Sequence, residues 1–169
     1  MATLTPEEEK RMEENQVFVG RQLNKAIFRV KGKTMIEFAE SVGMTGSKYT
    51  KVGTKEDGKP DYSKIVAVPT YPNCWTVDCC FDMVNWINDE GRKLITNYGK
   101  VLHTSQEYNY SNAEVPIQHG QKLYTTGTLA KQYIAGGKLW LVNDLVTKTK
   151  DGKLVLEAKV MVCVRKGGY

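Results

Sequence analysis

The stretch 75–89, WTVDCCFDMVNWIND, restricts the possible folds more than any other part of the chain. Asp78, Asp82, Asn85 and Asp89 recur at intervals of 4, 3 and 4 residues, so a helix through this stretch carries its polar side chains on one narrow stripe. Val77, Cys79, Cys80, Phe81, Met83, Val84, Trp86 and Ile87 cover nearly all of the remaining circumference. A helix that is apolar over most of its surface has to be enclosed by other structure. Glu90-Gly91 supplies its stop. The expectation is a sheathed helix over 75–89.

The second half of the chain provides a sheath. Residues 101–110, 121–135, 138–148 and 154–165 form long stretches rich in β-branched residues. In the last of them Leu154, Leu156, Ala158, Val160, Val162 and Val164 alternate with Lys153, Val155, Glu157, Lys159, Met161 and Cys163, so one face of the strand is wholly apolar. Gly136-Gly137 and Asp151-Gly152 place residues able to take positive φ at two joints, which read as tight hairpins. The last three strands therefore form an antiparallel meander. A twisted sheet wrapped around one apolar helix satisfies both patterns. This is the α+β single hot-dog fold, an antiparallel sheet around a long central helix. Such a sheet keeps open edges, and pairing with a second subunit is expected to cover one edge and the helix flank.

At 169 residues the chain is one domain and needs no disulfide or metal staple. Thr5-Pro6-Glu7-Glu8 has the form of a capped helix start, and a short helix runs on to about Asn15. The organisation expected is an N-terminal helix over 1–16 and a hot-dog domain over 17–169. Ala26-Ile27-Phe28-Arg29-Val30 reads as a strand. Thr34-Met35-Ile36-Glu37 repeats the capping-box pattern, Met35, Phe38, Ala39 and Val42 fall at helical spacing, and Gly43 ends that helix. Residues 44–64 form a mobile loop or short irregular excursion with lysines at 48, 51, 55, 59 and 64.

The net charge of +5, from 24 basic and 19 acidic residues, suits a phosphate-bearing ligand such as a nucleotide, coenzyme A or a carrier protein. No dense basic cluster alternates with aromatics, which argues against nucleic acid. No apolar run approaches the roughly 18 residues of a membrane span. The start MATLTPEEEK lacks the apolar core of a signal peptide, so a cytoplasmic location is expected. Cys74, Cys79, Cys80 and Cys163 do not form a C-x-x-C pattern, and His103 and His119 stand alone. Neither metal nor cofactor is expected, and the thiols read as reduced, buried and apolar.

Five blocks in order carry a resemblance to a known family. Phe38-Ala39-Glu40-Ser41-Val42-Gly43 resembles the helix that opens MaoC-like hydratases and dehydratases. Ile65-Val66-Ala67-Val68-Pro69-Thr70-Tyr71-Pro72 is similar to their I-V-A-P-P-T-F-P turn before the hot-dog helix. Val101-Leu102-His103-Thr104-Ser105-Gln106-Glu107-Tyr108 resembles V-L-H-G-E-Q-E-F, and Pro116-Ile117-Gln118-His119-Gly120-Gln121-Lys122-Leu123 resembles P-V-R-V-G-D-T-L. Asp151-Gly152-Lys153-Leu154-Val155-Leu156-Glu157-Ala158 is similar to their D-G-E-L-V-A-E-A hairpin. The resemblance spans about residues 17–166. It is to the N-terminal-type branch, which includes the non-catalytic subunits of mycobacterial (3R)-hydroxyacyl-carrier-protein dehydratases.

Hydrating an enoyl thioester needs a base for water, an acid for the α carbon and an N–H donor for the enolate oxygen. In catalytic members the motif G-D-x-N-P-I-H supplies the Asp and His. The equivalent stretch here resembles it only at Gly43: Gly43-Met44-Thr45-Gly46-Ser47-Lys48-Tyr49 has Met44 in the place of the Asp and Tyr49 in the place of the His. Methionine does not titrate, and a phenol of pKa about 10 is a poor base at neutral pH. His103 and His119 have no carboxylate neighbour in the sequence and read as structural.

What the resemblance implies is a tunnel wall. The substrate-binding set is Pro69, Thr70, Tyr71, Cys74 and Trp75 at the start of the central helix, with Tyr49 and His103. Free N–H groups and the positive potential of a helix start suit a thioester carbonyl or a phosphate. Core packing stays open for each of these residues. Cys74 is either activated by the dipole or inert, and the five lysines either attract phosphates or form a solvated loop. The expected function is a non-catalytic, substrate-binding subunit of a heteromeric enoyl-thioester hydratase or 3-hydroxyacyl-thioester dehydratase. Its partners would be a homologous catalytic hot-dog subunit, in a heterodimer or heterotetramer, and an acyl-CoA or acyl-carrier-protein substrate. The alternatives are a non-enzymatic acyl-CoA-binding homodimer, and a thioesterase using Asp78 or Asp82.

Overall fold

The structure, a computed structural model, describes residues 4–169. Helix α1 (Pro6–Glu14) opens on a reciprocal capping box. The Glu8 N–H donates to Thr5 Oγ1 at 3.2 Å, and the Thr5 N–H donates to Glu8 Oε2 at 2.9 Å. The helix has no buried residue and is docked through polar contacts. Arg11 donates to the Lys93 carbonyl at 2.6 Å, Gln132 donates to the Met12 carbonyl at 2.7 Å, and Glu14 pairs with Arg92.

Strand β1 (Ala26–Arg29) leads into helix α2 (Gly32–Ser41). This helix begins earlier than its Thr34 signal indicates, and the second capping box does not form. Lys31 is the N-cap and makes no side-chain cap bond. Thr34 instead donates to the Lys31 carbonyl at 2.9 Å and accepts from the Tyr71 hydroxyl at 2.9 Å. Gly32 allows the early start, because a Cβ there would collide with the Tyr62 ring. The stretch 44–64 is not structureless: it holds the single turn α3 (Ser47–Thr50) and a small hairpin of β2 (Gly53–Thr54) and β3 (Pro60–Asp61).

Four long strands follow: β4 (Val101–Asn109), β5 (Lys122–Ala135), β6 (Lys138–Thr149) and β7 (Leu154–Arg165). With β1 they make a five-stranded antiparallel sheet in the order β1-β5-β6-β7-β4. The expected meander of β5, β6 and β7 is present. Gly136 and Gly137 turn the first hairpin at φ of 58° and 65°, the left-handed pair that matches strand twist. One sheet face is core: Leu123, Leu139, Leu141, Leu156, Val160 and Val164 are fully buried. Strand β4 carries a bulge between His103 and Ser105, closed by Thr104 donating to the Met161 carbonyl at 2.9 Å.

The central helix is shorter than the polar stripe predicts. Helix α4 spans Asn73–Cys80, tightens into a 3₁₀ turn over Phe81–Asn85, and ends as Trp86 turns extended with ψ 126°. Asp82 is the physical cause. Its carboxylate accepts from the Asn24 N–H at 3.0 Å, the Asn24 side chain at 2.6 Å and Trp86 Nε1 at 2.9 Å. These bonds hold Trp86 against Phe18, ring centroids 6.2 Å apart, where a continued helix would carry it away. Asp82 therefore leaves the solvated stripe and becomes a clamp.

The sheath is also incomplete within one chain. Trp75, Cys79, Cys80 and Met83 are buried, but Phe81 is 40% exposed and Val77 and Val84 are only half-buried. The architecture is a single hot-dog fold with one open flank. Among the described residues no helix is long and apolar enough to cross a membrane.

Replacing Asp82 with Ala removes the acceptor for three donors at once. Hydrogen bonds to a charged group contribute about 1.5–3 kcal/mol, so the variant is expected to lose about 2 kcal/mol in urea unfolding and to quench differently at Trp86. An unchanged urea midpoint would refute the clamp.

Candidate functional site

The segment Val68–Thr76 winds into α4 through consecutive tight turns. The N–H groups of Tyr71, Asn73 and Cys74 donate to the carbonyls of Val68, Thr70 and Tyr71 at 2.8, 3.1 and 3.1 Å. Those first-turn donors are consumed by the chain itself, which corrects the expectation of free N–H groups waiting for a thioester carbonyl. Proline at position 72, lacking an N–H, sits where no donor is missed.

The expected binding residues separate into three places. Tyr71 and Trp75 lie in the core at 1% and 2% exposure. Trp75 stacks on Phe28 at 4.8 Å and meets Tyr71 edge-on at 5.7 Å, and its Nε1 donates to Thr147 at 3.3 Å. Pro69, Thr70 and Cys74 are exposed beside them. Tyr49 belongs to α3, half-buried with the Lys48 ammonium 4.8 Å from its ring centre. His103 lies on edge strand β4 and lines a different hollow, of about 310 Å³, with Val77, Phe81, Val84, Tyr98 and Val101.

Cys74 differs from the other three cysteines, which are buried as expected. Although the residue is exposed, its sulfur is partly covered. That desolvation, seconded by the Asp78 charge, pushes its pKa above the ordinary 9.0. The helix start does not activate it. Burial likewise raises Cys79 to about 11.

A polar network at the α4–β4 junction emerges that the sequence reading did not identify. Gln106 Nε2 and the Tyr108 hydroxyl, at 3.3 Å, both meet Thr76 Oγ1, which itself donates to the Pro72 carbonyl at 2.9 Å. Tyr110 donates to the Pro69 carbonyl at 2.7 Å. Tyr110 also borders a crevice of about 220 Å³ with Val66, Ala67, Pro69, Pro116 and Ile117. The signal was available: Gln106, Tyr108 and Tyr110 stand at every second position, hence on one strand face. Desolvation is the main cause that lifts Tyr108 to about 12 and Tyr110 well above the phenol range. Both are neutral O–H donors at physiological pH, unable to act as bases.

The loop at 43–49 holds no carboxylate and no imidazole. Met44 and Tyr49 are half-buried, and the Tyr49 N–H is tied to the Gly46 carbonyl at 2.9 Å. His119 accepts at Nδ1 from the Gly32 N–H at 2.9 Å. Among the described residues neither histidine forms an ion pair with a carboxylate. Lysines 48, 51, 55, 59 and 64 are exposed, and Lys59 is held by Asp57 at 2.8 Å. That bond holds the Asp57 carboxyl below its ordinary pKa.

A family model described as the FAS1-like dehydratase domain region matches residues 17–158. The chain belongs to this family. No curated protein matches it by sequence. Among solved structures, it is similar to the HadBC (3R)-hydroxyacyl-ACP dehydratase complex of Mycobacterium tuberculosis, with TM-score 0.63 and 16% identity over 86% of this chain and 96% of that one. The ChsH1-ChsH2 complex of the same organism matches with TM-score 0.53 and 14% identity, over 87% and 98% of the two chains. The R-hydratase PhaJ1 of Pseudomonas aeruginosa gives 0.54 and 9%, over 89% and 84%. This dehydratase-family chain thus has the MaoC-like hot-dog fold.

The Tyr108 shift has a pH consequence. Its pKa is raised from 10.0 to about 12 in the folded chain, so the native state holds its proton longer than the unfolded state does. Its stabilising contribution is intact below about pH 10 and is lost as pH rises toward about 12. The urea midpoint of Tyr108→Phe is expected to fall less steeply over that window than the wild type's. Parallel curves would disprove the assignment.

Proposed function

We propose that this chain is the substrate-binding, non-catalytic subunit of a heteromeric MaoC-like enoyl-thioester hydratase or 3-hydroxyacyl-thioester dehydratase. The observation that carries the reading is the loop at 43–49. The family's proton-handling pair is replaced there by Met44 and Tyr49, while the fold around it is retained. Water addition needs an acid and a base, and this loop holds neither a carboxylate nor an imidazole. Among the described residues neither histidine has the carboxylate partner that would orient it as a base.

The binding half of the task has better support. The Tyr110–Pro69 crevice, beside the turn that precedes α4, and the His103 hollow, beside the end of α4, are apolar recesses suited to an acyl chain and a pantetheine arm. Pro69, Thr70 and Cys74 are exposed at the start of α4, and Tyr71 and Trp75 are buried beside them. Two of the similar structures are complexes of two subunits, which favours a heteromer for this chain. A hot-dog subunit with an intact G-D-x-N-P-x-H motif would supply the acid and base. The thioesterase reading loses one of its two carboxylates, since Asp82 is occupied by Asn24 and Trp86, and rests on the exposed Asp78 alone.

The test is hydration of crotonyl-CoA by the chain alone and after co-expression with a MaoC-like subunit carrying that motif, encoded beside it. The expected result is no turnover alone and turnover in the mixture. Turnover by the chain alone, abolished in His103→Ala, would overturn the proposal.

A further inference from the structure

Helix α2 begins without a cap from its own chain segment. The Lys31 side chain makes no cap bond, and the Thr34 hydroxyl in the first turn is engaged by the Lys31 carbonyl and by Tyr71. The first backbone donor of the helix, the Gly32 N–H, belongs to a buried residue, where an unmatched donor is costly. It is matched from 87 residues away: His119 Nδ1 accepts it at 2.9 Å. The backbone on either side of that ring is fixed. The Val30 N–H donates to the Gln121 carbonyl and the Gly120 N–H to the Val30 carbonyl, both at 2.9 Å, which ties the turn 118–121 to the end of β1. Within the turn the Gln121 side chain accepts from the Gln118 N–H at 2.8 Å and donates to the Pro116 carbonyl at 2.9 Å. The Tyr62 ring lies against Gly32 and beside the imidazole, ring centroids 5.1 Å apart.

His119 is exposed, so protons reach its ring. A backbone N–H only donates, and the nitrogen that meets it must carry a lone pair. An imidazolium has none, since both of its nitrogens are donors. Protonation therefore sets one N–H against another and brings a cation to the positive end of α2. The charged and titratable groups on the elements around the ring are Arg29 on β1, Lys31 and Lys33 at the helix start, Asp61, Tyr62 and Lys64 at and after β3, and Lys122 on β5. Asp61 accepts from the Ser63 N–H at 2.9 Å, and Lys33 pairs with Glu37. Among the described residues no carboxylate pairs with the His119 ring, so nothing holds the cation in place of the lost bond.

The first turns of α2 lean on the start of α4. Thr34 accepts from the Tyr71 hydroxyl at 2.9 Å, Phe38 meets the Tyr71 ring edge-on at 5.4 Å, and the Tyr71 carbonyl accepts from the Cys74 N–H at 3.1 Å. We infer that His119 is a proton-operated latch. The neutral ring caps α2 and, through Thr34 and Phe38, steadies the turn from Val68 to Cys74. The imidazolium releases the first turn of α2 and slackens the turn before α4 with it. The latch needs neither ligand nor partner, and it does not rest on the functional proposal.

Amide hydrogen exchange of the full chain, followed by NMR between about pH 8 and about pH 5 and corrected for intrinsic rates, tests it. The His119 ring resonances report the proton in the same samples. In the wild type, protection of the Gly32 and Met35 amides is expected to drop about fivefold on acidification, the loss typical of an N-cap, and the Cys74 amide to lose protection in step. His119→Asn, whose side-chain oxygen accepts but does not titrate, is expected to keep its protection across the range. His119→Ala is expected to be equally open at both ends of it. Titration of the ring with Gly32 and Met35 protection unchanged would overturn the inference. So would an acid response that persists in His119→Asn, or Cys74 protection that does not follow that of Gly32. The Asn variant keeps the test decisive if His119→Ala fails to fold, which circular dichroism reports.

Discussion

The burial of Trp75 fixes everything else about the site. Its ring lies between Phe28 on β1 and Tyr71 in the preceding turn, and its one polar atom is matched by Thr147 on β6. Thr147 in turn shares a bond of 2.7 Å with Thr125 on β5, so the indole N–H reaches into a satisfied polar pair deep in the sheet. Burying an aromatic side chain contributes roughly 1.5–3 kcal/mol, and a buried N–H without an acceptor would cost a comparable amount. Helix, turn and three strands are thereby locked at one point. The exposed Pro69, Thr70 and Cys74 take their positions from it.

How far the sequence disclosed this depends on the range of each interaction. The strands were legible because alternation in a segment such as 154–165 is a local property of the pleat, and glycine pairs at the joints have a local conformational reason. The α1 cap was legible for the same reason, since Thr5 and Glu8 are three residues apart. The central helix was misread in length because its end is decided by Asn24, more than fifty residues away from Asp82. The second capping box failed similarly, since Tyr71 and the Lys31 carbonyl share the Thr34 hydroxyl. The Gln106–Thr76–Tyr108 network lay hidden because two elements contribute to it, although the strand spacing of its β4 members was in plain sight.

Under the proposed function the chemistry is that of a container. Beside the His103 imidazole that lines one recess, the ionisable groups around α4 are phenols and thiols whose burial keeps them protonated, Tyr108 near 12 and Cys79 near 11. Such groups can steer a carbonyl or a hydroxyl by hydrogen bonding but exchange no proton with it at neutral pH.

The bulge in β4 separates two tasks that an even strand would bind together. His103 and Gln106 are an odd number of residues apart, and yet both point toward α4, His103 at the hollow by Phe81 and Gln106 at Thr76. One extra residue has shifted the phase of the pleat between them. Each end of the strand can therefore drift in sequence without re-aiming the other. A lineage that loses or gains a residue at Thr104 would turn Gln106 and Tyr108 outward together, inverting half of the site in one step.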